Sequence, residues 1–233
     1  MKKLFVIILG IVLVAGCTKD DKVNETNADS GETNADSGTS IKIGTQTWTT
    51  KNLDLETYND GTPIPRVTDP TAWDNLTTGA WCYYDNDPVN GAIYGKLYNW
   101  YAVAGIHDND SNTPNKKLAP TGYHIPSDAE WTTLTTFLGG EAVAGGKIKA
   151  KGTSLWISPN TAATNESGFT GLPGGSRNSD GSFGDVSFSG DWWSSSEYLT
   201  TTAWSPTLNY DTGVAYKSNH GKTNGLSVRC IKD

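Results

Sequence analysis

The side chains that could do chemistry in this sequence include three cysteines. Cys17 follows an apolar segment, whereas Cys82 and Cys230 stand 148 positions apart (230 minus 82) in the rest of the chain. In an oxidising compartment, a disulfide between Cys82 and Cys230 is the natural expectation. The alternative is a pair of buried free thiols. A catalytic cysteine would need a histidine partner, and neither cysteine has one beside it in the sequence.

The histidines and carboxylates do not form a recognisable catalytic or metal-binding pattern. His107, His124 and His220 are scattered without the spacing of a metal site, and we expect His124 to be structural. Glu130 stands three positions after Ser127, which is the spacing of a helix capping box, so a capping role is favoured over a catalytic acid. No pair of carboxylates stands out for glycoside hydrolysis. The sequence therefore predicts a protein that is not an enzyme.

Two short acidic stretches offer oxygen ligands for calcium, the one candidate cofactor. Asp108, Asp110 and Asn112 stand at alternate positions, as ligands do in a calcium loop, and Asp85 and Asp87 form the second stretch. The first stretch lacks the glycine and the final glutamate of an EF-hand loop. The alternative for both stretches is an ordinary solvated loop with Asx-turns.

Four aromatic residues are candidates for ligand contact. Trp192 and Trp193 are adjacent, so in a strand they face opposite sides, and one of them could be exposed. Tyr210 and Tyr216 follow on late loops and could join it. Exposed rings of this kind suit stacking against a sugar. The alternative is that all four rings pack in a core that supports the loops.

Two short helices and several strands must position these side chains. The clearest helix lies within residues 121–140, where apolar residues recur at helical spacing after the Ser127 cap and two glycines end the run. A second helix is predicted within residues 94–105, and a further turn, interrupted by Gly145 and Gly146, within residues 141–151.

The strand predictions rest on alternating and β-branched residues. A hairpin is predicted over residues 41–49, and an aromatic strand runs from Trp81 into an acidic turn. Residues 201–208 and 213–217 are predicted to pair, and residues 226–231 to form a closing strand.

Composition restricts the class of protein. The 233 residues carry a net charge of −7, and they include nine tryptophans, ten tyrosines and 26 glycines. An acidic chain without a basic cluster argues against nucleic-acid binding. The aromatic, glycine-rich composition is typical of a loop-rich extracellular domain with an aromatic core.

The first forty residues predict export and lipid anchoring. Residues 4–14 are apolar but too short to span a membrane, and residues 13–17, LVAGC, match a bacterial lipobox. We therefore predict a signal peptide over residues 1–16, acylation of Cys17 and a membrane partner through that lipid. Residues 18–22, TKDDK, resemble the acidic signal that exports Bacteroidota lipoproteins to the cell surface. The periplasmic face of the outer membrane is the alternative.

A tandem repeat separates the anchor from the folded part. The sequence ETNADSG occurs at residues 25–31 and again at residues 32–38. It has no bulky apolar residue and cannot bury surface to offset chain entropy. We therefore predict a tether over residues 17–40 and a folded domain over residues 41–233.

The predicted domain resembles the Fibrobacter succinogenes major paralogous domain of Bacteroidota lipoproteins. The matching stretches follow one another in the family's order and cover nearly all of residues 41–233. This family brings no characterised activity. The stretches are IGTQTWTTKNL (43–53), WCYYDND (81–87), YGKLYNWYAV (94–103), GYHIPSDAEW (122–131), LPGGSRNSDGSF (172–183), WWSSSE (192–197) and SVRCIKD (227–233).

A looser similarity bears on the fold. The HIPSDAEW stretch and the terminal VRC are similar to segments of formylglycine-generating sulfatase modifiers, which have a C-type lectin-like fold. This similarity implies an α+β fold with two short helices, small twisted antiparallel sheets and long loops rich in glycine, asparagine and tryptophan. The cysteine pair that binds copper in those enzymes and the calcium-site triplets of sugar-binding C-type lectins have no equivalent here, so neither activity is carried over.

Three functions follow as hypotheses. The leading one is a non-enzymatic surface lipoprotein whose lectin-like head binds a glycan or protein ligand. The second is a structural or accessory subunit of an envelope assembly at the outer membrane. The third, and least favoured, is an enzyme on the formylglycine-modifier fold.

Overall fold

The computed structural model describes residues 40–233, which form an α+β structure of twelve strands, five α-helices and one 3-10 helix. The strands are β1 Ser40–Ile43, β2 Gln46–Thr49, β3 Trp81–Cys82, β4 Leu97–Tyr98, β5 Tyr123–His124, β6 Gly174–Arg177, β7 Phe183–Val186, β8 Ser189–Asp191, β9 Glu197–Leu199, β10 Thr202–Asn209, β11 Ala215–Gly221 and β12 Ile231–Lys232. The helices are α1 Pro70–Asp74, the 3-10 helix Tyr84–Asn86, α2 Pro88–Tyr94, α3 Trp100–Val103, α4 Asp128–Phe137 and α5 Glu141–Ile148.

The strands form three small sheets. A four-stranded sheet has the order β1-β2-β12-β5, and a two-stranded sheet pairs β3 with β4. The largest sheet has the order β11-β10-β8-β6-β7, and β9 pairs with the first part of β10. Its pairs are antiparallel except for β6 with β8. The predicted hairpin of residues 41–49 and the predicted pairing of β10 with β11 are confirmed.

Helix α4 begins as its sequence predicts, while α5 differs from its prediction. The Ser127 backbone N–H donates to Glu130 Oε2 at 2.7 Å, and the Glu130 N–H donates to Ser127 Oγ at 3.3 Å, which completes a capping box. Helix α5 runs through Gly145 and Gly146 without interruption. A Cβ atom at Gly145 would lie 2.3 Å from the Val214 carbonyl oxygen, so this glycine serves close approach and does not break the helix.

The prediction of one helix within residues 94–105 is wrong, because the region contains the end of α2, strand β4 and helix α3. Helix α2 ends at Gly95, whose φ of 76° suits a glycine, and the chain then enters β4. Asn99 begins the separate helix α3, because its side chain accepts a hydrogen bond from the Ala102 N–H. The structure has more helices than the two that were predicted, and the reason is the same. Side-chain caps start several helices of only one or two turns, which are too short to show helical periodicity in the sequence.

The closing strand is shorter than predicted. Only Ile231 and Lys232 form β12, which inserts between β2 and β5. Leu226 and Ser227 instead make isolated bridges with Tyr98 and Trp192. The last residues of the chain therefore join separate parts of the structure.

Three clusters of buried apolar side chains form the core. One cluster contains Trp193 and Cys230, and a second contains Trp48, Trp131 and Trp192. The third and smallest cluster lies around Trp73 and Cys82. Because the sheets are small, large aromatic rings supply much of the buried area that holds the loops in place.

A fully buried arginine, Arg229, joins the loops beside the second cluster. Its guanidinium donates to Asn52 Oδ1 and the Thr49 carbonyl, both at 2.7 Å, and to the Phe169 and Thr170 carbonyls at 2.9 and 3.0 Å. Burial lowers the pKa of Arg229 to about 9. The charge is thus balanced by hydrogen bonds to four acceptors, three of which are main-chain carbonyls.

The substitution Arg229→Met should strongly destabilise the structure. The three carbonyls around Arg229 would lose this donor, whereas Asn52 Oδ1 would keep the bond from Trp192 Nε1. Each unsatisfied buried group costs roughly 1–3 kcal/mol, so we expect a loss of at least about 3 kcal/mol in the free energy of unfolding. Urea denaturation of the full chain would measure it. Arg66→Met is the matched control, because Arg66 is exposed, and it should cost less than about 1 kcal/mol. Equal losses for the two variants would contradict the role given to Arg229.

Candidate functional site

An open cleft lies on one face of the largest sheet and has a volume of about 560 Å³. We call it the polar cleft, because hydroxyl, amide and carboxylate side chains dominate its lining. The residues that line it are Ser176, Asn178, Asp185, Phe188, Ser189, Asp191, Thr207, Asn209, Tyr210, Asp211, Ser218, Asn219 and His220. Its size falls within the range of small-molecule binding sites.

Strand register brings these side chains together. In an antiparallel pair, directly opposed residues lie on the same side of the sheet. Thr207 of β10 is opposed to Asp191 of β8, and Asn209 is opposed to Ser189. The intervening Leu208 packs into the second core cluster. Strand β10 therefore separates a polar face from an apolar one by simple alternation.

Asp191 is the buried acceptor of the cleft, with 4% of its surface exposed. Its Oδ1 accepts from Thr207 Oγ1 at 2.6 Å and its Oδ2 accepts from Ser189 Oγ at 2.7 Å. Burial raises the pKa of Asp191, and the nearby His220 and the two hydroxyls offset part of this effect. Nδ1 of His220 lies 2.7 Å from Ser205 Oγ. The result is an ordered set of hydrogen-bonding groups at the sheet surface.

An aromatic pair adds an apolar surface to the cleft. The rings of Phe188 and Tyr210 meet edge to face, with centroids 5.4 Å apart. The Tyr210 N–H also donates to the Phe188 carbonyl at 3.0 Å. Phe188 is 45% exposed, so part of its ring is open to a ligand.

The charge of the lining favours some ligands over others. His220 is the one basic residue among the lining residues, and Asp185, Asp191 and Asp211 contribute carboxylates. An anionic ligand would meet like charges here, which is unfavourable. Hydroxyl groups of a neutral ligand could instead donate to the carboxylates and pair with the amides of the cleft.

Trp192 and Trp193 do not form the predicted exposed platform. The two residues follow directly after the end of β8, their side chains pack into different core clusters, and they are only 1% and 0% exposed. Trp192 Nε1 donates to Asn52 Oδ1 at 2.9 Å, and Trp193 Nε1 donates to the Tyr98 carbonyl at 2.7 Å. Both rings are therefore fixed as supports of the loops.

The predicted tyrosines lie in different places. Tyr210 lines the polar cleft, whereas Tyr216 is exposed beside a shallow depression between α4 and β11. Phe188, Asp191 and His220 also line the cleft but were not predicted from the sequence as ligand contacts. Polar residues at alternate positions, Ser189 and Asp191 of β8 and Thr207 and Asn209 of β10, are the sequence pattern from which part of this site could have been predicted.

Cys82 and Cys230 are buried free thiols and do not form the predicted disulfide. Cys82 lies on β3 in the third core cluster, and Cys230 lies in the first. Burial raises the pKa of Cys82 to about 11 and that of Cys230 to about 12. Separation into different clusters explains the error, because sequence spacing carries no information on side-chain distance.

The two acidic stretches form local turns. The Oδ1 atom of Asp108 accepts from the Asp110 N–H at 3.0 Å, and the Oδ1 atom of Asp110 accepts from the Asn112 N–H at 2.9 Å. Asp87 caps α2 through the Val89 N–H, and Asp85 lies in the 3-10 helix. Within residues 40–233, no group of three or more His, Cys, Asp or Glu side chains is arranged to hold a metal ion. Calcium binding stays a prediction.

His124 and Glu130 form a structural network. His124 Nε2 lies 2.8 Å from Glu130 Oε1, and its Nδ1 lies 2.7 Å from Asp233 Oδ1. Burial alone would lower the pKa of His124, but its hydrogen bonds to the two carboxylates outweigh burial and raise it. The GYHIPSDAEW stretch thereby caps α4 and ties it to the end of the chain, as predicted for Glu130.

The chain belongs to the Fibrobacter succinogenes major domain family, whose family model matches residues 41–232. No curated protein and no solved structure matches the chain. Family membership thus confirms the resemblance seen in the sequence and supplies no activity. The predicted signal peptide, the acylated Cys17 and the repeat tether lie outside the described residues. Within the described residues, none of the helices has the length and apolar character needed to cross a bilayer.

The thiols can be counted directly. We expect the full chain carrying Cys17→Ser to show two thiols that react with Ellman's reagent after denaturation without reductant, and almost none in the native state, because burial blocks access and disfavours the thiolate. Native protein plus reductant is the control. Absence of reactive thiols in the denatured, unreduced chain would show that the disulfide forms after all.

The His124 network should make stability depend on pH. Because the pKa of His124 is raised in the folded state, its stabilising contribution is complete below the unfolded pKa of about 6.5 and is lost as pH rises through the folded pKa. The difference in unfolding free energy between wild type and His124→Asn should therefore be largest near pH 6 and shrink at higher pH. In Asp233→Asn, which keeps the imidazole, the pH dependence should be weaker but present. A difference independent of pH would contradict this role.

Proposed function

We propose that this chain is an outer-membrane lipoprotein, anchored through Cys17, whose non-enzymatic, lectin-like head binds a neutral glycan in the polar cleft. The observation that carries the proposal is the combination of the buried Asp191 acceptor with the half-exposed Phe188 ring at the same surface. The lipobox and the repeat tether support the anchoring, and the acidic TKDDK stretch supports a position on the cell exterior.

The chemistry of sugars matches both parts of the cleft. A neutral glycan presents many hydroxyl groups, and hydrogen bonds to charged acceptors are stronger than those between neutral groups. The C–H faces of sugar rings are apolar and pack on aromatic rings. The cleft offers carboxylate and amide groups beside Phe188 and Tyr210, so it can meet both surfaces of the same ligand.

Binding fits Asp191 better than catalysis does. Both of its oxygens already accept hydrogen bonds from Thr207 and Ser189. These bonds hold both carboxylate oxygens in place as acceptors, and only 4% of Asp191 is exposed, whereas a general acid must reach the substrate with its proton. The proposed head therefore recognises a ligand and does not transform it.

A protein-binding role is the second candidate, and an exposed aromatic patch favours it. The patch consists of Tyr198, Leu199 and Trp204, and the rings of Tyr198 and Trp204 lie 4.4 Å apart. Tyr198 and Leu199 are exposed on the short strand β9. Exposed aromatic residues are enriched in protein interfaces, so this patch suits an accessory subunit of an envelope assembly.

A glycan array tests the proposal directly. The full chain with Cys17→Ser should bind at least one family of neutral oligosaccharides, and binding should persist in EDTA because the cleft uses protein groups. Phe188→Ala should weaken this binding by about tenfold, which corresponds to the loss of about 1.4 kcal/mol. Titration calorimetry with the selected oligosaccharide would measure the change.

Phe137→Ala is the matched control. Phe137 is also an exposed phenylalanine, but it lies on α4 outside the polar cleft, so its removal should leave binding unchanged. Equal weakening by the two variants would place the ligand elsewhere. A blank array from folded protein would reject the glycan and favour the protein-partner role, and loss of binding in EDTA would direct attention to the acidic turns.

A further inference from the structure

A fully buried lysine, Lys149, lies directly after α5 and next to the cleft. Its Nζ donates to the carbonyl oxygens of Asn209 and Thr212, both at 2.8 Å, and of Thr161 at 2.9 Å. The ammonium also lies 5.4 Å from the centroid of the Trp156 ring. An ammonium has three donors, so these three carbonyls use all of its hydrogen-bonding capacity.

Two of the carbonyls bound by Lys149 belong to the loop that lines part of the polar cleft. Asn209 and Thr212 stand on either side of Tyr210 and Asp211, and both of these residues line the cleft. The Thr161 segment makes a further bond to the same loop, because its N–H donates to the Tyr210 carbonyl at 2.7 Å. The ammonium therefore holds both ends of the short loop that carries Tyr210 and Asp211.

Burying this charge has a cost that the loop geometry must offset. Burial lowers the pKa of Lys149 to about 8, although Asp211 partly opposes the effect. A buried charge is tolerated when hydrogen bonds compensate for lost hydration, and here main-chain carbonyls supply them. A side chain such as methionine could fill the space but would leave the three part-buried carbonyls without this donor.

We propose that Lys149 is a positioning residue of the polar cleft: its ammonium fixes residues 209–212, so that Tyr210 and Asp211 are already placed for the ligand. Lys149 sets affinity in this way without touching the ligand. The effect of Lys149 on affinity rests on the proposed glycan binding. The effect of Lys149 on the order of residues 209–212 does not depend on that proposal. A preorganised loop saves the ordering cost that binding would otherwise include.

Lys96 provides a matched comparison. It is also almost fully buried, and its Nζ lies 4.5 Å from the centroid of the Trp81 ring. Unlike Lys149, it pairs with a carboxylate: its Nζ donates to Asp54 Oδ1 at 2.5 Å as well as to the Asp54 carbonyl at 3.0 Å. None of these residues lines the polar cleft. The variant Lys96→Met therefore removes a buried ammonium of similar kind while leaving the residues around the cleft intact.

Hydrogen exchange tests the loop without any ligand. In the full chain with Cys17→Ser, Lys149→Met should speed amide exchange in residues 209–213 by at least about tenfold, because the local opening free energy falls. Lys96→Met should leave exchange there unchanged. Unchanged exchange in Lys149→Met, or equal acceleration by both variants, would overturn the positioning role.

Binding then tests the consequence for affinity. With cellohexaose, maltohexaose and N-acetylchitohexaose as neutral probes, Lys149→Met should raise the dissociation constant of the probe that binds wild type by about tenfold. Lys96→Met should change it less than about twofold. A saturating probe should also slow exchange of residues 209–213 far more in Lys149→Met than in wild type, which a merely structural lysine would not produce. Equal affinities of wild type and Lys149→Met would overturn the inference.

Failure of the inference and failure of the proposed function are distinguishable. If wild type binds none of the three probes and the wider array is blank, glycan binding is rejected while the exchange experiment still decides whether Lys149 fixes the loop. If wild type binds and exchange in residues 209–213 does not respond to Lys149→Met, the positioning role is rejected while glycan binding stands.

Discussion

The structure depends on buried cations that bind main-chain carbonyls. A loop-rich chain leaves many carbonyl groups without partners from helices or sheets, and each one that is buried needs a donor. Arg229 supplies donors to three such carbonyls, and Lys149 supplies three more at another position. Arg177 does the same for the Val67, Thr68 and Gly181 carbonyls. Small sheets and short helices can therefore be joined by side chains that satisfy the loops from within.

This constraint explains why the stretches that identify the family do not identify a ligand. Asn52, Arg177 and Arg229 belong to those stretches, and each of them is buried in a network that joins loops. His124 and Glu130 cap a helix and bind it to the end of the chain. Much of the recognisable sequence therefore serves the fold, whereas the cleft proposed as the binding site takes most of its lining from outside these stretches. The polar cleft takes most of its lining from β8, β10 and β11, whose polar residues resemble ordinary alternating strand positions, and only Ser176 and Asn178 of its lining lie in one of these stretches.

Sequence patterns correctly predicted those features that depend on residues close together in the chain. The Ser127–Glu130 capping box, the first hairpin and the pairing of β10 with β11 each depend on neighbours in sequence or on simple alternation, and all are confirmed. The burial of Trp193 and the bonding of Cys82 and Cys230 depend instead on which parts of the chain pack together in the folded structure. Alternation in a strand predicted that Trp192 and Trp193 point in opposite directions; the structure places them after β8 and in different clusters, and alternation could not show that both are buried. Sequence spacing likewise could not show that Cys82 and Cys230 belong to different clusters.

Substitutions of buried cations and substitutions of exposed cleft residues should have different effects. Replacing a buried cation such as Arg229 removes donors from several loops at once, so its main effect is on folding. Replacing Phe188 removes a half-exposed ring, so its main effect is expected on the proposed ligand and not on folding. Lys149 stands between these cases, since its ammonium satisfies loop carbonyls and two of those carbonyls flank the residues that line the cleft. Affinity in such a domain can therefore be changed from inside the protein, through the cation that holds a loop, as well as from the surface that meets the ligand.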